Sequence, residues 1–181
     1  MAKKPAPKKP ASKKPVAKRS AAPKRKAVQP IPDDYPRVTP YLSVRDAARA
    51  IDFYVRVFGA RERMRMDAPG GKIGHAELKI GDSVVMLADE YPDMDFLSPQ
   101  SRGGASVTLH IYVKDVDAVV AGAVAAGAKL KRPVKDEFYG DRNGTIEDPF
   151  GHLWSVATHK EDLTKAQMRR RMEEAMKKMG G

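Results

Sequence analysis

The chain has 181 residues, a formal net charge of +11 at pH 7 and no cysteine. A length of this order accommodates one domain with tails, and the absence of cysteine excludes disulfide bonds, thiolate nucleophiles and thiolate zinc sites. No apolar stretch reaches the roughly 20 residues of a membrane-spanning helix, and residues 1–30 lack the apolar region of a secretory signal, so we expect a soluble, cytoplasmic protein.

The excess positive charge lies at the N-terminus. Residues 1–30 contain eleven of the 34 Lys and Arg residues and none of the 23 Asp and Glu residues, so residues 31–181 carry no net charge. Repeated Lys-Lys-Pro predicts a disordered tail and linker over residues 1–36. Such lysines bind phosphates without reading base sequence, so weak nucleic-acid binding, with a nucleoid-associated location, is one candidate function. The basic residues are Lys3, Lys4, Lys8, Lys9, Lys13, Lys14, Lys18, Arg19, Lys24, Arg25 and Lys26.

Residues 37–90 are predicted to form a first module of one strand, one helix and three strands. Alternating residues over 37–44 indicate a strand. Apolar residues at helical spacing follow Asp46, the expected N-cap, and predict a helix over 46–58 that ends at Gly59. The three strands are predicted near residues 60–67, 72–80 and 83–89.

A second module repeats this order 69 residues further along the chain, after a polar loop over residues 91–104. Val113-Lys114-Asp115 matches Val44-Arg45-Asp46, and the apolar positions of the helix that follows have the same spacing. A duplicated unit of this kind predicts an α+β fold with a ligand between its halves. In this module, residues 105–160, the predicted elements are a strand over 106–113, a helix near 115–126 and strands near 129–135, 143–147 and 152–158.

Residues 161–181 are predicted to contain an amphipathic helix over 163–179, in which Thr164 and Gln167 could form a capping box. A stripe of methionines at helical spacing is expected to pack on the domain or on a partner chain. The stripe consists of Met168, Met172, Met176 and Met179.

Residues 37–165 resemble the vicinal oxygen chelate (VOC) superfamily, and within it the PhnB-like, glyoxalase/bleomycin resistance branch. The resemblance implies two tandem βαβββ modules that form a curled mixed sheet around a cleft. It also implies a homodimer, since relatives build the cleft within one chain or across two. The motifs that carry it include Pro40-Tyr41-Leu42, Ala50-Ile51-Asp52-Phe53-Tyr54, Val57-Phe58-Gly59-Ala60, His75-Ala76-Glu77-Leu78, Tyr139-Gly140-Asp141-Arg142 and Asp148-Pro149-Phe150-Gly151-His152-Leu153-Trp154.

Metal-using relatives place His or Glu at four positions in the cleft. The resemblance assigns these positions to Thr39 and Thr108 on the first strands, and to Val85 or Met86 and Ser155 on the last strands. Hydroxyls and a thioether are not the ligands that zinc, iron or nickel requires. We therefore predict no cofactor. A glyoxalase-type lyase, isomerase or dioxygenase with a displaced metal site, for example at the His-x-Glu pair of strand 72–80, remains the alternative.

The candidate ligand-binding residues are aromatic and polar side chains on strands that relatives turn toward the cleft and on the loop before residue 143. This composition is typical of a small-molecule site, so binding or sequestration of a small organic molecule is the preferred hypothesis. The residues are Thr39, Tyr41, His75, Glu77, Thr108, His110, Tyr112, Tyr139, Asp141, Arg142, Trp154 and Ser155.

Structural roles compete with ligand binding at several of these positions. His110 could be a core histidine bonded to its surroundings. Asp141 and Arg142 could form an ion pair that holds a turn, and Trp154 could pack within the sheet. In an enzyme, His110 or Glu77 would act as a general base.

Overall fold

The computed structural model of the chain describes Met1 and residues 28–179. The chain divides into two units, residues 1–32 and 33–181. Within the first unit, residues 28–32 contain no helix or strand, and the predicted disordered basic tail lies outside the described residues. The second unit contains both modules.

The first module forms one mixed four-stranded sheet in the order β1-β4-β3-β2. Strand β1 runs parallel to β4, whereas the other neighbours are antiparallel, which confirms the predicted strand–helix–three-strand unit. Its elements are β1 (Tyr41–Val44), α1 (Ala47–Phe58), β2 (Arg61–Ala68), β3 (Lys72–Ile80) and β4 (Ser83–Asp89).

The second module repeats this topology in a second mixed sheet, in the order β5-β8-β7-β6. The connection between the modules contains a 3-10 turn at Pro92–Met94 and the short helix α2 (Pro99–Arg102), where the sequence predicted only a loop. The elements that follow are β5 (Thr108–Tyr112), α3 (Val116–Ala125), β6 (Lys129–Asp136), β7 (Asp141–Glu147) and β8 (Leu153–His159).

Both module helices begin at the predicted aspartate caps. Asp46 accepts a hydrogen bond from the backbone N–H of Arg49 at 3.1 Å, and Asp115 accepts one from that of Ala118 at 3.0 Å, each satisfying a free donor of the first turn. Helix α1 ends at Gly59, whose φ of 64° is left-handed. The buried face of α1 consists of Ala47, Ala50, Ile51, Phe53 and Tyr54.

The two first strands are shorter than predicted, and β1 begins at Tyr41 instead of residue 37. Pro36 and Pro40 have no N–H to donate to a sheet. The hydroxyl of Thr39 donates to the Pro36 carbonyl at 3.2 Å, which closes a local turn in place of strand pairing. Thr39 consequently lies outside the sheet.

A buried aspartate joins the two modules. Asp148, 3% exposed, accepts hydrogen bonds from the Tyr54 hydroxyl at 2.7 Å and the Trp154 indole N–H at 2.9 Å. The Trp154 ring packs on Phe58 with centroids 4.6 Å apart. Because Tyr54 and Phe58 belong to the first module and Trp154 to the second, the hydrophobic core runs across both.

Glu90 stabilises the connection that follows β4. Its carboxylate accepts hydrogen bonds from the hydroxyls of Ser98 and Ser101, at 2.7 and 2.6 Å, and from the Ser98 N–H at 3.0 Å. Arg45 lies 3.5 Å from the same carboxylate. The bond from Ser101 is the largest cause that lowers the pKa of Glu90 to about 2.

This environment predicts a loss of stability in acid. A carboxyl whose pKa is lower in the folded than in the unfolded chain stabilises the fold above its unfolded pKa, and the stabilisation is lost as the pH falls toward the folded pKa. We expect Glu90→Gln to lower the free energy of unfolding by about 1–3 kcal/mol at pH 7 and by about half as much at pH 3, which lies between the unfolded and folded pKa. Urea unfolding of the wild type and the variant at the two pH values measures this loss. An equal loss at pH 7 and pH 3 would contradict the prediction. Asp93→Asn, at an exposed position, is the control.

The C-terminal helix, α4 (Lys165–Met179), begins at the predicted capping box. The Thr164 N–H donates to the Gln167 side chain at 2.9 Å, and the Gln167 N–H donates back to the Thr164 hydroxyl at 3.3 Å. The stripe residues Met168, Met172 and Met176 are exposed. Among the described helices, none combines the length and apolarity that crossing a membrane requires.

Candidate functional site

Each sheet packs one face on its helix and leaves the other partly open. On the first sheet, Tyr41, Met86, Glu77 and Met64 are register partners in one row, and partners in a row share a face. Tyr41 is 47% exposed, whereas Glu77 in the middle of the row is only 4% exposed. We call this side of the sheet, with the next row containing His75, the first face.

A hydrogen-bonded cluster surrounds Glu77 on the first face. The Tyr35 hydroxyl donates to Glu77 Oε1 at 2.6 Å, and His75 Nε2 lies 3.4 Å from the same oxygen. Arg63 Nη1 is 3.7 Å from Glu77 Oε2, and the Tyr41 hydroxyl is 2.8 Å from His75 Nδ1. A chain of polar groups therefore leads from the exposed phenol of Tyr41 to the buried carboxylate.

The surroundings of Glu77 keep it ionised. Burial opposes the charged form, but the hydrogen bonds from Tyr35 and His75 and the charge of Arg63 together outweigh burial and lower the pKa of the carboxyl. Conversely, the hydrogen bond to Glu77 raises the pKa of Tyr35, and burial raises the pKa of Tyr41. Near neutral pH the face therefore contains a buried carboxylate anion beside two phenols that stay protonated.

The second sheet has a corresponding open side, which we call the second face. His110, Ser155, Thr145 and Arg132 are register partners in one row across it. The Ser155 hydroxyl lies 3.0 Å from His110 Nδ1 and accepts a hydrogen bond from the Asn143 amide at 2.8 Å. The structure thus brings together His110 and Ser155, two of the predicted site residues.

Asp141 lies at one end of the second face and is nearly fully buried. It accepts a hydrogen bond from the Tyr112 hydroxyl at 2.9 Å and lies 2.7 Å from His159 Nδ1. The hydrogen bond with Asp141 is the largest cause that raises the pKa of His159 and of Tyr112. Asp141 therefore fixes the orientation of two neighbouring side chains.

Two cavities lie beside these faces. One, of about 400 Å³, lies at the junction of the modules between Tyr41, Phe96, Leu109 and His152. The other, of about 610 Å³, lies on the second face, and both volumes are in the range of small-molecule sites. The second cavity is lined by Thr108, Lys131, Arg132, Glu137, Tyr139, Asn143, Thr145, Leu153 and Ser155.

Some predicted site residues lie elsewhere. Trp154 is in the core between the modules, with its indole N–H bonded to Asp148. Arg142 pairs with Asp117 at 2.7 Å and with Asp136 at 3.2 Å, so it joins β7 to α3 and to β6. The basic residues predicted to bind nucleic acid lie outside the described residues, and that function stays a prediction.

The sequence analysis did not identify several residues that the structure places on the two faces. Tyr35 precedes the predicted domain boundary, and its role follows only from the contact with Glu77. Arg132 faces the second cavity next to an irregularity of β6. Pro133 was the one available signal, since proline within a strand marks an edge strand or a bulge.

The family model described as Glyoxalase/Bleomycin resistance protein/Dioxygenase superfamily matches residues 36–156. The chain belongs to this superfamily, and the predicted VOC resemblance is confirmed. The homodimer that the resemblance implies stays a prediction.

Individual proteins show the same likeness. The uncharacterized protein Rv0887c of Mycobacterium tuberculosis is 47% identical over 124 residues, which cover 67% of this chain and 73% of that protein. The crystal structure of TioX from Micromonospora sp. ML1 is 30% identical, with a TM-score of 0.52 over 67% of this chain and 97% of TioX. A PhnB protein from Bacillus cereus, at 18% identity and a TM-score of 0.55 over 68% of this chain and 99% of that one, shows the same fold.

The donors at the four family positions do not fit a divalent metal ion. The register places Met86 on the first face beside Tyr41, whereas Val85 is buried against the helix side. The remaining donors are the hydroxyls of Thr39, Thr108 and Ser155, none of which supplies the imidazole or charge that such an ion requires. Among the described residues, no three His, Asp or Glu side chains group closely enough to hold a metal ion.

Proposed function

We propose that this protein binds small organic molecules and holds them by shape and hydrogen bonds. The first face and the second face are the proposed binding surfaces. The observation that carries the proposal is the first face, where exposed aromatic and thioether groups surround a fixed carboxylate. Tyr41, Met64 and Met66 are exposed, whereas Glu77 is held by Tyr35 and His75. Apolar walls with a few oriented polar groups are the usual composition of a ligand site.

The exposed end of the polar chain is oriented before a ligand arrives. The Tyr41 hydroxyl lies 2.8 Å from His75, which in turn lies 3.4 Å from the buried Glu77 carboxylate, so a ligand that contacts Tyr41 would not have to reorganise it. The exposed ring of Tyr41 contacts Phe96 edge-on, with centroids 5.3 Å apart, and both rings lie beside the junction cavity. An aromatic or otherwise flat molecule could pack on this wall.

The proposal predicts binding without added metal. We expect a library of neutral aromatic compounds, screened against the EDTA-treated chain by thermal shift, to yield compounds that raise the Tm. Tyr41→Ala should weaken the binding of these compounds by about tenfold, because it removes a packing surface and a hydrogen-bonding group.

Val55→Ala is the matched control for this screen, because Val55 is an exposed apolar residue of α1 away from both sheet faces. This variant should bind the compounds as the wild type does. The proposal would fail if divalent metal ions alone raised the Tm, or if Tyr41→Ala bound the same compounds with unchanged affinity.

An enzymatic role is the second candidate, and one observation favours it. Glu77, His75 and Tyr41 form a carboxylate–imidazole–phenol chain with contacts of 3.4 and 2.8 Å. In such a chain the carboxylate orients the imidazole, which exchanges a proton with the hydroxyl. A lyase or isomerase of this kind would convert a compound from the screen, whereas a binding protein would return it unchanged, and NMR spectra of the incubated compound distinguish the two.

A further inference from the structure

We propose that the cavity on the second face binds the carboxylate group of a small organic molecule, and that Arg132 recognises it. This inference rests on the proposed function, since the second face is one of the two faces to which that function assigns ligand binding. Four observations support it: a bulge in β6, the ion pairs around it, the neutral hydrogen-bond donors of the cavity, and an apolar wall beside them.

The bulge brings two consecutive cations to the second face. Leu130 pairs with Ile146 and Arg132 pairs with Thr145, so two steps along β6 match one step along β7, and Lys131 is the extra residue. In a regular strand Lys131 and Arg132 would point to opposite faces. A bulge turns neighbouring side chains toward the same face, and both residues line the cavity.

The two cations differ in their partners. Lys131 Nζ lies 3.1 Å from Glu147 Oε2, and its hydrogen bond is the largest cause that lowers the pKa of Glu147. Within residues 33–179, Arg132 forms no ion pair. The β6 residues that do form ion pairs are Lys129, Lys131, Lys135 and Asp136. The positive charge of Arg132 is therefore available to a ligand.

The net charge of the cavity fits a singly charged group. Its charged lining residues are Lys131, Arg132 and Glu137. These three side chains together carry one net positive charge. Outside the lining, Glu147 pairs with both Lys131 and Lys129, at 3.1 and 3.4 Å, and Lys135 Nζ lies 3.6 Å from Glu137. In the described part of the chain, the cation without an ion pair is the planar guanidinium of Arg132, whose parallel N–H groups match the two oxygens of a carboxylate.

The rest of the cavity supplies neutral donors and an apolar wall. Burial is the largest cause that raises the pKa of Tyr139, so its phenol stays protonated and can donate. The hydroxyls of Thr108 and Thr145 also line the cavity, together with the apolar side chain of Leu153. A molecule with a carboxylate near Arg132 and an apolar body against Leu153 would use all of these groups.

Benzoate and benzamide test the inference, because they share a shape and differ in charge. In NMR titrations of the full chain, we expect benzoate to shift the amide signals of Arg132, Thr145 and Ser155, and to bind about tenfold more tightly than benzamide. Arg132→Gln should abolish this preference. Lys129→Gln removes one positive charge from the same strand outside the cavity lining, and it should keep the preference.

Three results would overturn the inference. The first is equal affinity for benzoate and benzamide, and the second is an unchanged preference for benzoate in Arg132→Gln. The third is binding of inorganic phosphate as tightly as benzoate, which would indicate a site for free anions. The proposed function is decided separately. If neutral compounds bind the first face and depend on Tyr41 while benzoate shows no preference, the proposed function stands and the carboxylate site does not.

Discussion

Asp148→Asn is expected to lower the free energy of unfolding by about 2–5 kcal/mol. The carboxylate accepts hydrogen bonds from the Tyr54 hydroxyl and the Trp154 indole at 2.7 and 2.9 Å. Its other oxygen accepts from the backbone N–H groups of Phe150 and His152, both at 2.9 Å. An asparagine has one acceptor oxygen instead of two, so buried donors lose their partner, at about 1–3 kcal/mol each.

Urea unfolding of the two proteins measures this effect. Trp154 is the single tryptophan of the chain, so its fluorescence also reports whether the junction of the modules is altered. Asp52→Asn is the matched control, because Asp52 is an exposed residue of α1, the helix that carries Tyr54. A loss below 0.5 kcal/mol in Asp148→Asn would show that the aspartate does not hold the modules together.

Gly140→Ala is expected to cost about 2–4 kcal/mol and to disturb the second cavity. Gly140 has a φ of +99°, and a Cβ at this position would lie 2.5 Å from the carbonyl oxygen of Glu161. That oxygen belongs to a segment fixed against Gly140, whose own carbonyl accepts from the N–H groups of Lys160 and Glu161 at 3.0 Å each. Left-handed strain and overpacking each contribute on the order of 1–2 kcal/mol.

Gly81→Ala separates these two contributions. Gly81 also has a positive φ, of +60°, but a Cβ there would meet no atom within 4 Å, so this variant should lose only the strain, about 1 kcal/mol. Urea unfolding compares the two variants. Because Gly140 lies between Tyr139 and Asp141, only Gly140→Ala should shift the NMR signals of the second cavity. Equal losses in the two variants would contradict the predicted steric contact with Glu161.

The duplicated fold was predictable because its signals are local. The periodicity of apolar residues and the caps at Asp46 and Asp115 defined both helices to within one or two residues. The capping box at Thr164 likewise defined the start of α4. Each of these features depends on residues three or four positions apart, which the sequence displays directly.

The candidate site was less predictable, partly because of the period of a strand. Trp154 and Ser155 are neighbours on β8, so their side chains point to opposite faces; Ser155 faces the second cavity, and Trp154 faces the core. The same alternation separates Asp141 from Arg142 on β7. Only one residue of each pair could line the second face, although all four were predicted to bind the ligand.

The remaining site residues are brought together by contacts that cannot be inferred from their spacing in the sequence. Tyr35 reaches Glu77 from 42 positions away, and no periodicity links the two. Lys131 and Arg132 share a face only because β6 has a bulge. Strand pairing decides where such a bulge falls, so the sequence could indicate it through Pro133 without giving its register.

The most direct test of this account is the affinity of a compound from the thermal-shift screen, measured by calorimetry before and after EDTA treatment of the protein. The metal content of the protein, purified without added metal, is measured alongside. If the ligand is held by shape and hydrogen bonds alone, its Kd will be the same in both preparations and transition metals will be far below one equivalent. A stoichiometric transition metal whose removal abolishes binding would contradict the account.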